Sequence, residues 1–184
     1  VGRLLQAQGR VLPMAAVPLA IEADVSGLDP ADPTAVQVVL GQAQVAVTPG
    51  TVERVRLVPA APPACPESVA AIRSADWVVL GPGSWFTSVM THLLVPEVRE
   101  ALEVTRARRL LILNLDPGSG ETAGFSAERH LETFAELAPN LHLDVVLADP
   151  AVVDDPEQLE AACARLGATL FVAPVGRRDR AGEH

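Results

Sequence analysis

Two loops rich in glycine and hydroxyl side chains carry the residue types best suited to holding a ligand. The first places two glycines and three hydroxyls between an apolar run and a helix: Gly81, Pro82, Gly83, Ser84, Thr87 and Ser88. Backbone N–H groups at the start of a helix, together with hydroxyls, can cradle a phosphate without a lysine. The loop therefore predicts a phosphate-binding turn. The alternative is a tight turn in which Ser84 caps the helix and the neighbouring aromatics join the core.

A second loop, residues 116–126, is glycine-rich and ends at a predicted helix cap, Ser126. Its flexibility would let Gly120, Glu121 and Thr122 reach a ligand in the same cleft. The alternative is a mobile surface loop whose acidic residue is only solvated.

Several kinds of catalysis lack the residues that they need. The chain contains no lysine, which excludes a Schiff base and a lysine-based phosphate loop. It contains neither a G-x-S-x-G motif nor a metal-ligand spacing. His92, His130 and His142 have no acidic or cysteine companions in sequence, which favours structural roles. Asp149 ends an apolar run and either contacts a ribose, acts as a base or caps a turn.

Four apolar runs, each close to a loop and a helix, predict the elements that position the two loops: WVVL, LLILNL, DVVL and TLFV. Such runs are typical of a parallel sheet covered on both faces, with ligands bound beyond the carboxyl ends of its strands. Helices are predicted over residues 67–74, 95–106, 126–138 and 156–166. The expected class is α/β, a Rossmann-like three-layer sandwich with a mostly parallel sheet.

An N-terminal strand-rich segment precedes this part of the chain. Pro, Gly and Asp separate short runs at residues 10–15, 19–27, 35–41 and 52–58, which predicts strands. Residues 1–9 resemble the last turns of a helix that ends at Gly9. We expect a single domain over residues 1–175 and a flexible tail over 176–184.

Composition narrows the choice of partners. The 184 residues are 49% hydrophobic and carry a formal net charge of −9, which predicts a compact soluble domain without a nucleic-acid partner. Two uncharged stretches contain proline, glycine and hydroxyl residues, so no membrane insertion is expected. Cys65 and Cys163 lie far apart in sequence, which suits a reducing cytosol better than a disulfide.

Three segments resemble the gluconeogenesis factor family, the YvcK-like proteins, which are related to the CofD-like 2-phospho-L-lactate transferases. These segments are GRVLPMAAVPLAIEADVSG, ADWVVLGPGSWFTSVMTHLLVPEVREAL and NLDPGSGETAGFSAERHLE. The resemblance runs from Val1 to about Val175. The family's N-terminal G-G-G-[TH]-G loop has no counterpart, so we expect this chain to be the C-terminal portion of the family domain. DPGSGET stands where the family has Q-P-G-E-T, so only Gly120, Glu121 and Thr122 carry over.

The resemblance implies a cytoplasmic bacterial protein that binds a nucleotide-type ligand, such as a UDP-sugar. It also implies a role in cell shape and wall synthesis during gluconeogenic growth, with no reaction established for this branch. The form GPGSWFTS favours that branch over a Mg²⁺-dependent phospholactyl transferase of deazaflavin coenzyme biosynthesis. Mg²⁺ is expected only under the transferase alternative. A third possibility is a portion of the fold whose loops bind nothing alone, and a homodimer is left open.

Overall fold

The N-terminal half forms a small antiparallel sheet. The computed structural model describes residues 9–115 and 120–176. Its first elements are strands β1 (Ala20–Ser26) and β2 (Gln37–Leu40), helix α1 (Gln42–Ala46) and strand β3 (Thr51–Val58). Strand β1 lies in the centre, antiparallel to β2 on one side and to β3 on the other. The buried residues of β1 alternate with half-buried ones, as expected of a sheet with one face on the core.

The rest of the chain alternates helices with parallel strands. In order these are α2 (Pro66–Ser74), β4 (Trp77–Leu80), α3 (Pro96–Val104), β5 (Arg108–Ile112), α4 (Ala127–Leu137), β6 (Val145–Ala148), α5 (Pro156–Arg165) and β7 (Thr169–Val172). The four strands pair in the order β4-β5-β6-β7. The predicted α/β class, the parallel sheet and the N-terminal strand-rich segment are confirmed.

Local sequence signals explain where these helices begin and end. The Ser126 hydroxyl accepts the Arg129 N–H at the start of α4, and Asp155 accepts the Gln158 N–H at the start of α5. Helix α3 ends where the Arg109 guanidinium donates to three backbone carbonyls, those of residues 102, 103 and 105. A cation at a helix C-terminus also interacts favourably with the helix dipole.

The parallel sheet has two very different faces. One carries Leu80, Leu111 and Val146, which are at most 8% exposed. The strand pairing places Trp77, Val79 and Phe171 on the opposite face, where they are 48%, 51% and 59% exposed. The physical reason is the strand order: crossovers are right-handed, so strands added in a single direction place all their helices on one side.

Two parts of the sequence interpretation need correction. Residues 10–15 do not form a strand; Ala15 makes an isolated bridge to Ala64, and Pro13 has no N–H with which to continue a ladder. Helix α1 was not predicted, because five residues are too few for a visible helical period. The predicted opening helix, apart from Gly9, and the predicted tail, apart from Gly176, lie outside the described residues.

The antiparallel sheet packs over the loops that follow β4 and β5. Between β4 and α3 the chain forms a π-helical turn, Trp85–Val89, and then a 3-10 turn, Met90–Leu94. Strand β3 contacts the 3-10 turn and also the short turn Gly120–Thr122. Both loops are therefore held between the two sheets. Among the described residues, no helix combines the length and apolar character needed to cross a bilayer.

Candidate functional site

The first predicted loop begins at a close approach between two strands. Gly81 follows β4 with a φ of 75° and precedes a cis peptide bond to Pro82. A Cβ atom on Gly81 would lie 2.6 Å from the Ile112 carbonyl oxygen at the end of β5. Glycine is therefore required both for the backbone conformation and for the contact. The loop lies at the carboxyl ends of β4 and β5, as predicted for an α/β sheet.

Asn114, which lies just beyond the end of β5, fixes this loop. The Gly83 N–H donates to Asn114 Oδ1, and Asn114 Nδ2 donates to the Gly83 carbonyl, each over 2.9 Å. The side-chain amide thus satisfies both backbone polar groups of one residue. Sequence reasoning missed Asn114, although a polar residue at the end of an apolar run is a signal that could have found it.

The side chain of Glu121 caps the start of the π-helical turn. Its Oε1 accepts hydrogen bonds from the Phe86 N–H at 2.7 Å and the Thr87 N–H at 3.3 Å. In this structure a carboxylate of the chain itself therefore occupies the Phe86 and Thr87 amides, and phosphate binding at this loop stays a prediction. Nor is Glu121 a solvated loop residue: only 4% of it is exposed.

The surroundings of Glu121 change its protonation equilibrium. Burial raises its pKa above the ordinary value, since a charged carboxylate loses hydration, while the hydrogen bonds from Thr87 and Phe86 act in the opposite direction. Its second oxygen, Oε2, is buried without a hydrogen-bond partner, as is the Thr87 hydroxyl. The carboxyl group is thus more easily protonated than an exposed glutamate.

A buried polar chain anchors the aromatic residues beside Glu121. Trp85 Nε1 donates to the Thr133 hydroxyl, and that hydroxyl donates to the His130 carbonyl, each over 2.9 Å. The His130 ring packs edge-on against Trp85 and places Nδ1 2.7 Å from the Ser126 carbonyl. Burial lowers the pKa of His130, because a charged imidazolium would lose hydration. This supports the structural role predicted for His130.

The predicted ligand-binding residues divide between two cavities. Four of them line a cavity of about 170 Å³, shared with Ala46, Trp85 and Asn114: Ser84, Gly120, Glu121 and Thr122. Three others line a second cavity of about 280 Å³: Gly81, Pro82 and Ser88. Gly83 is held by Asn114, and Thr87 is only 4% exposed. The first cavity therefore brings the two predicted loops together.

Asp149 acts as a turn cap in this structure. Its Oδ1 accepts the Ala151 N–H, and its Oδ2 accepts the N–H groups of Val175 and Gly176. These contacts hold the segment after β7 against the end of β6, which supports the capping alternative.

The described residues contain no cluster of potential metal ligands. Within residues 9–115 and 120–176, no group of three His, Cys, Asp or Glu side chains is placed to hold a metal ion. Mg²⁺ is commonly bound by one or two carboxylates together with waters and substrate phosphates, so this finding does not decide whether a Mg²⁺–nucleotide complex binds.

The sequence as a whole assigns the chain to a family. The chain matches the profile of the family described as 2-phospho-L-lactate transferase CofD over residues 1–167, and it belongs to that family.

Three relatives of the chain within this family share one name, gluconeogenesis factor. A Mycobacterium tuberculosis protein named "Putative gluconeogenesis factor" is 51% identical over 179 residues, which are 96% of this chain and 52% of that protein. The Mycobacterium leprae protein of the same name is 53% identical over 95% of this chain and 48% of its own. A Halalkalibacterium halodurans protein named gluconeogenesis factor is 32% identical over 82% of this chain and 43% of its own.

A solved structure agrees with this assignment. A UPF0052 family protein from Bacillus halodurans superposes with a TM-score of 0.78 at 26% identity, covering 94% of this chain and 57% of that chain. The chain thus spans about half the length of the relatives that it matches. The resemblance to gluconeogenesis factors is confirmed.

Proposed function

We propose that this protein acts as a gluconeogenesis factor that binds a nucleotide or nucleotide-sugar, of the UDP-sugar type, in the cytoplasm. Its role would be regulatory, in cell shape and wall synthesis. The names of its relatives support the first part of the proposal. The observation that carries the ligand proposal is the cavity where Ser84 meets the second loop, at the carboxyl ends of two parallel strands.

The size and lining of the cavity suggest which part of the ligand it takes. At about 170 Å³ it is smaller than the usual pocket for a whole nucleotide, so it suits a phosphate or a single sugar. The exposed Ser84 is placed to donate to such a group, whereas the N–H groups of Phe86 and Thr87 are already bound to Glu121. The ligand would therefore be held by hydroxyl and side-chain amide groups rather than by the start of a helix.

Calorimetric titration with UDP-N-acetylglucosamine tests the proposal. It uses this chain and a chimera in which the chain replaces the matching part of the M. tuberculosis relative. We expect binding by at least one of the two, weakened about 3- to 10-fold by Ser84→Ala, the effect of losing one hydrogen bond. Ser74→Ala, at the end of α2, should bind like the parent. Absence of binding by both proteins would show that this ligand is not bound. An affinity of Ser84→Ala equal to that of the parent would show that the ligand does not bind at this cavity.

The alternative function is a Mg²⁺-dependent 2-phospho-L-lactate transferase, which the family match favours. A Mg²⁺–nucleotide complex needs only one or two protein carboxylates, so the requirement for the metal is tested directly. GDP with and without Mg²⁺ is therefore the second titrant. Binding of GDP that requires Mg²⁺, without a signal from the UDP-sugar, would favour the transferase.

A further inference from the structure

The outer edge of strand β2 is an open edge of the antiparallel sheet. Within the described residues, β2 pairs with β1 on one side and with no strand on the other. The Gly41 N–H donates to the Ile21 carbonyl, so every second residue of the strand, Val39 among them, directs its backbone groups toward β1. Val38 and Leu40 therefore direct their N–H and C=O groups away from the sheet. Each of the two offers one donor and one acceptor to another chain.

The side chains on this edge are apolar and exposed. Val36, Val38 and Leu40 are 58%, 55% and 60% exposed. They belong to a run without a charged residue, 33–52, in a chain in which 20% of the residues are charged. Soluble proteins usually protect an open edge with a lysine, a proline or a bulge, and β2, whose sequence is QVVL, has none of these. The edge therefore has the character of an interface rather than of a solvated strand.

The charges nearest to this edge are neutralised within the chain. Two acids of β1, Glu22 and Asp24, lie opposite the exposed residues of β2 and on the same face of the sheet. The Arg56 guanidinium binds both carboxylates, at 2.9 Å from Glu22 Oε2 and 2.6 Å from Asp24 Oδ1. Two copies of a chain with a net charge of −9 repel each other over most of their surface. They can approach at this edge, because it is uncharged and the adjacent acids are paired.

We propose that this edge is the interface of a homodimer, in which β2 pairs antiparallel with β2 of a second copy about a two-fold axis. An antiparallel pair of identical strands is self-complementary, as a two-fold interface requires. With the axis at Val39, Val38 of each copy lies opposite Leu40 of the other, and both residues form backbone hydrogen bonds. Their apolar side chains then form cross-strand pairs at the centre of a continuous sheet with three strands from each copy. This inference does not depend on the proposed ligand.

The size of the interface determines how strong the dimer is. Strand β2 has only four residues, so the pairing adds few hydrogen bonds and buries mainly the exposed side chains of Val36, Val38 and Leu40. An interface built on so short a strand lies at the low end of specific interfaces, below about 1,200 Å² in total. We therefore expect a dissociation constant in the micromolar range and a dimer population that depends on protein concentration.

Disulfide cross-linking tests both the dimer and its register. At the axis, Val39 faces its own counterpart in a non-hydrogen-bonded pair, with Cα atoms about 4.5 Å apart. A disulfide spans this distance, so Val39→Cys should give a covalent dimer on mild oxidation. Val38→Cys is the matched control, because residue 38 lies opposite residue 40 of the other copy and out of reach of its own counterpart. The natural Cys65 and Cys163 are buried and should form no cross-link.

The pattern of cross-links decides the outcome. Efficient cross-linking of Val39→Cys together with little or none of Val38→Cys supports the proposal. Any other pattern, including equal cross-linking of the two variants or of neither, would overturn it.

Sedimentation velocity measures the dimer without a cross-link. We expect the mass of the wild type to rise from monomer to dimer between micromolar and millimolar concentrations. Val38→Glu should stay monomeric over this range, because pairing would bring its carboxylate against an apolar side chain of the other copy. Val79→Glu is the control and should dimerise like the wild type, since Val79, at 51% exposure, matches Val38 but lies on β4 in the parallel sheet.

Both valines are exposed, so both variants should keep the unfolding midpoint of the wild-type monomer. A wild type that stays monomeric at every concentration would overturn the proposal. So would a dimer that Val38→Glu does not weaken, or one that Val79→Glu weakens as much, because the interface would then lie elsewhere.

Discussion

Asn114 and Gly83, in the loops that follow the adjacent parallel strands β5 and β4, exchange two hydrogen bonds, each 2.9 Å long. One side-chain amide thereby acts as donor and acceptor for the N–H and C=O of the same residue. This contact fixes the first glycine loop before any ligand arrives.

Removal of this amide should destabilise the loop. We expect Asn114→Ala to lower the free energy of unfolding by about 1–3 kcal/mol, because two half-buried backbone groups lose their partner. Asn114→Asp should retain the acceptor for the Gly83 N–H but lose the donor to its carbonyl. Urea unfolding measures both, with the exposed Asn140→Ala as control. Equal stability of Asn114→Ala and Asn140→Ala would show that water replaces the amide without loss.

The Glu121 carboxyl group should make stability depend on pH. Its folded pKa lies above the ordinary value of 4.5, so the folded chain binds this proton more tightly than the unfolded chain. Its contribution to the free energy of unfolding therefore falls as pH rises from about 4.5 through the folded pKa. Glu121→Gln keeps an acceptor for the Phe86 N–H and removes this titration.

Urea unfolding at several pH values compares the variants. The difference in stability between Glu121→Gln and wild type should shift in favour of the variant as pH rises. Glu121→Ala should lose about 1–3 kcal/mol, because the N–H groups of Phe86 and Thr87 lose their acceptor. A Gln variant as unstable as the Ala variant near neutral pH would show that the negative charge itself is needed.

Alanine substitutions at Gly81 and Gly124 distinguish the cost of a left-handed backbone conformation from the cost of a steric clash. Their φ angles are 75° and 81°, but a Cβ atom meets the Ile112 carbonyl at Gly81 and nothing within 4 Å at Gly124. We expect Gly124→Ala to cost about 1–2 kcal/mol, the usual cost of a left-handed backbone conformation. Gly81→Ala should cost clearly more in thermal or urea unfolding. Equal costs would mean that β4 and β5 move apart freely.

Cys163 should resist alkylation in the folded chain. It has no exposed surface, and burial raises the pKa of its thiol from 9.0 to about 11. This shift alone lowers the thiolate fraction about 100-fold at pH 8. Mass spectrometry after iodoacetamide treatment should therefore find Cys163 unmodified in the native chain and modified in urea. Comparable labelling in both would indicate frequent local opening of α5.

The sequence predicted those elements whose signals are local. The apolar runs gave the four parallel strands, and the predicted cap Ser126 marks the start of α4. Pro13 shows the limit of such patterns, because apolar neighbours suggested a strand that a residue without an N–H does not extend.

The interior of the site was less predictable, because it depends on contacts between distant segments. Nothing near Glu121 in sequence indicates that its carboxylate binds amides 34 and 35 residues earlier. The loop composition pointed to the region where Ser84 and the residues 120–122 line one cavity. The loop composition gave no sign that the Glu121 carboxylate binds the Phe86 and Thr87 amides.

The neighbour relations within the two sheets bear on how the chain folds. Each parallel strand pairs with the next one along the chain, and β1 pairs with the two strands that follow it. The paired residues of neighbouring parallel strands lie 24 to 35 residues apart, and the hydrogen bonds of Gly83 with Asn114 and of Phe86 with Glu121 span 31 and 35 residues. Closing these loops therefore has a similar entropic cost. We expect the two glycine loops to become ordered together with the pairing of β4 and β5 rather than after it.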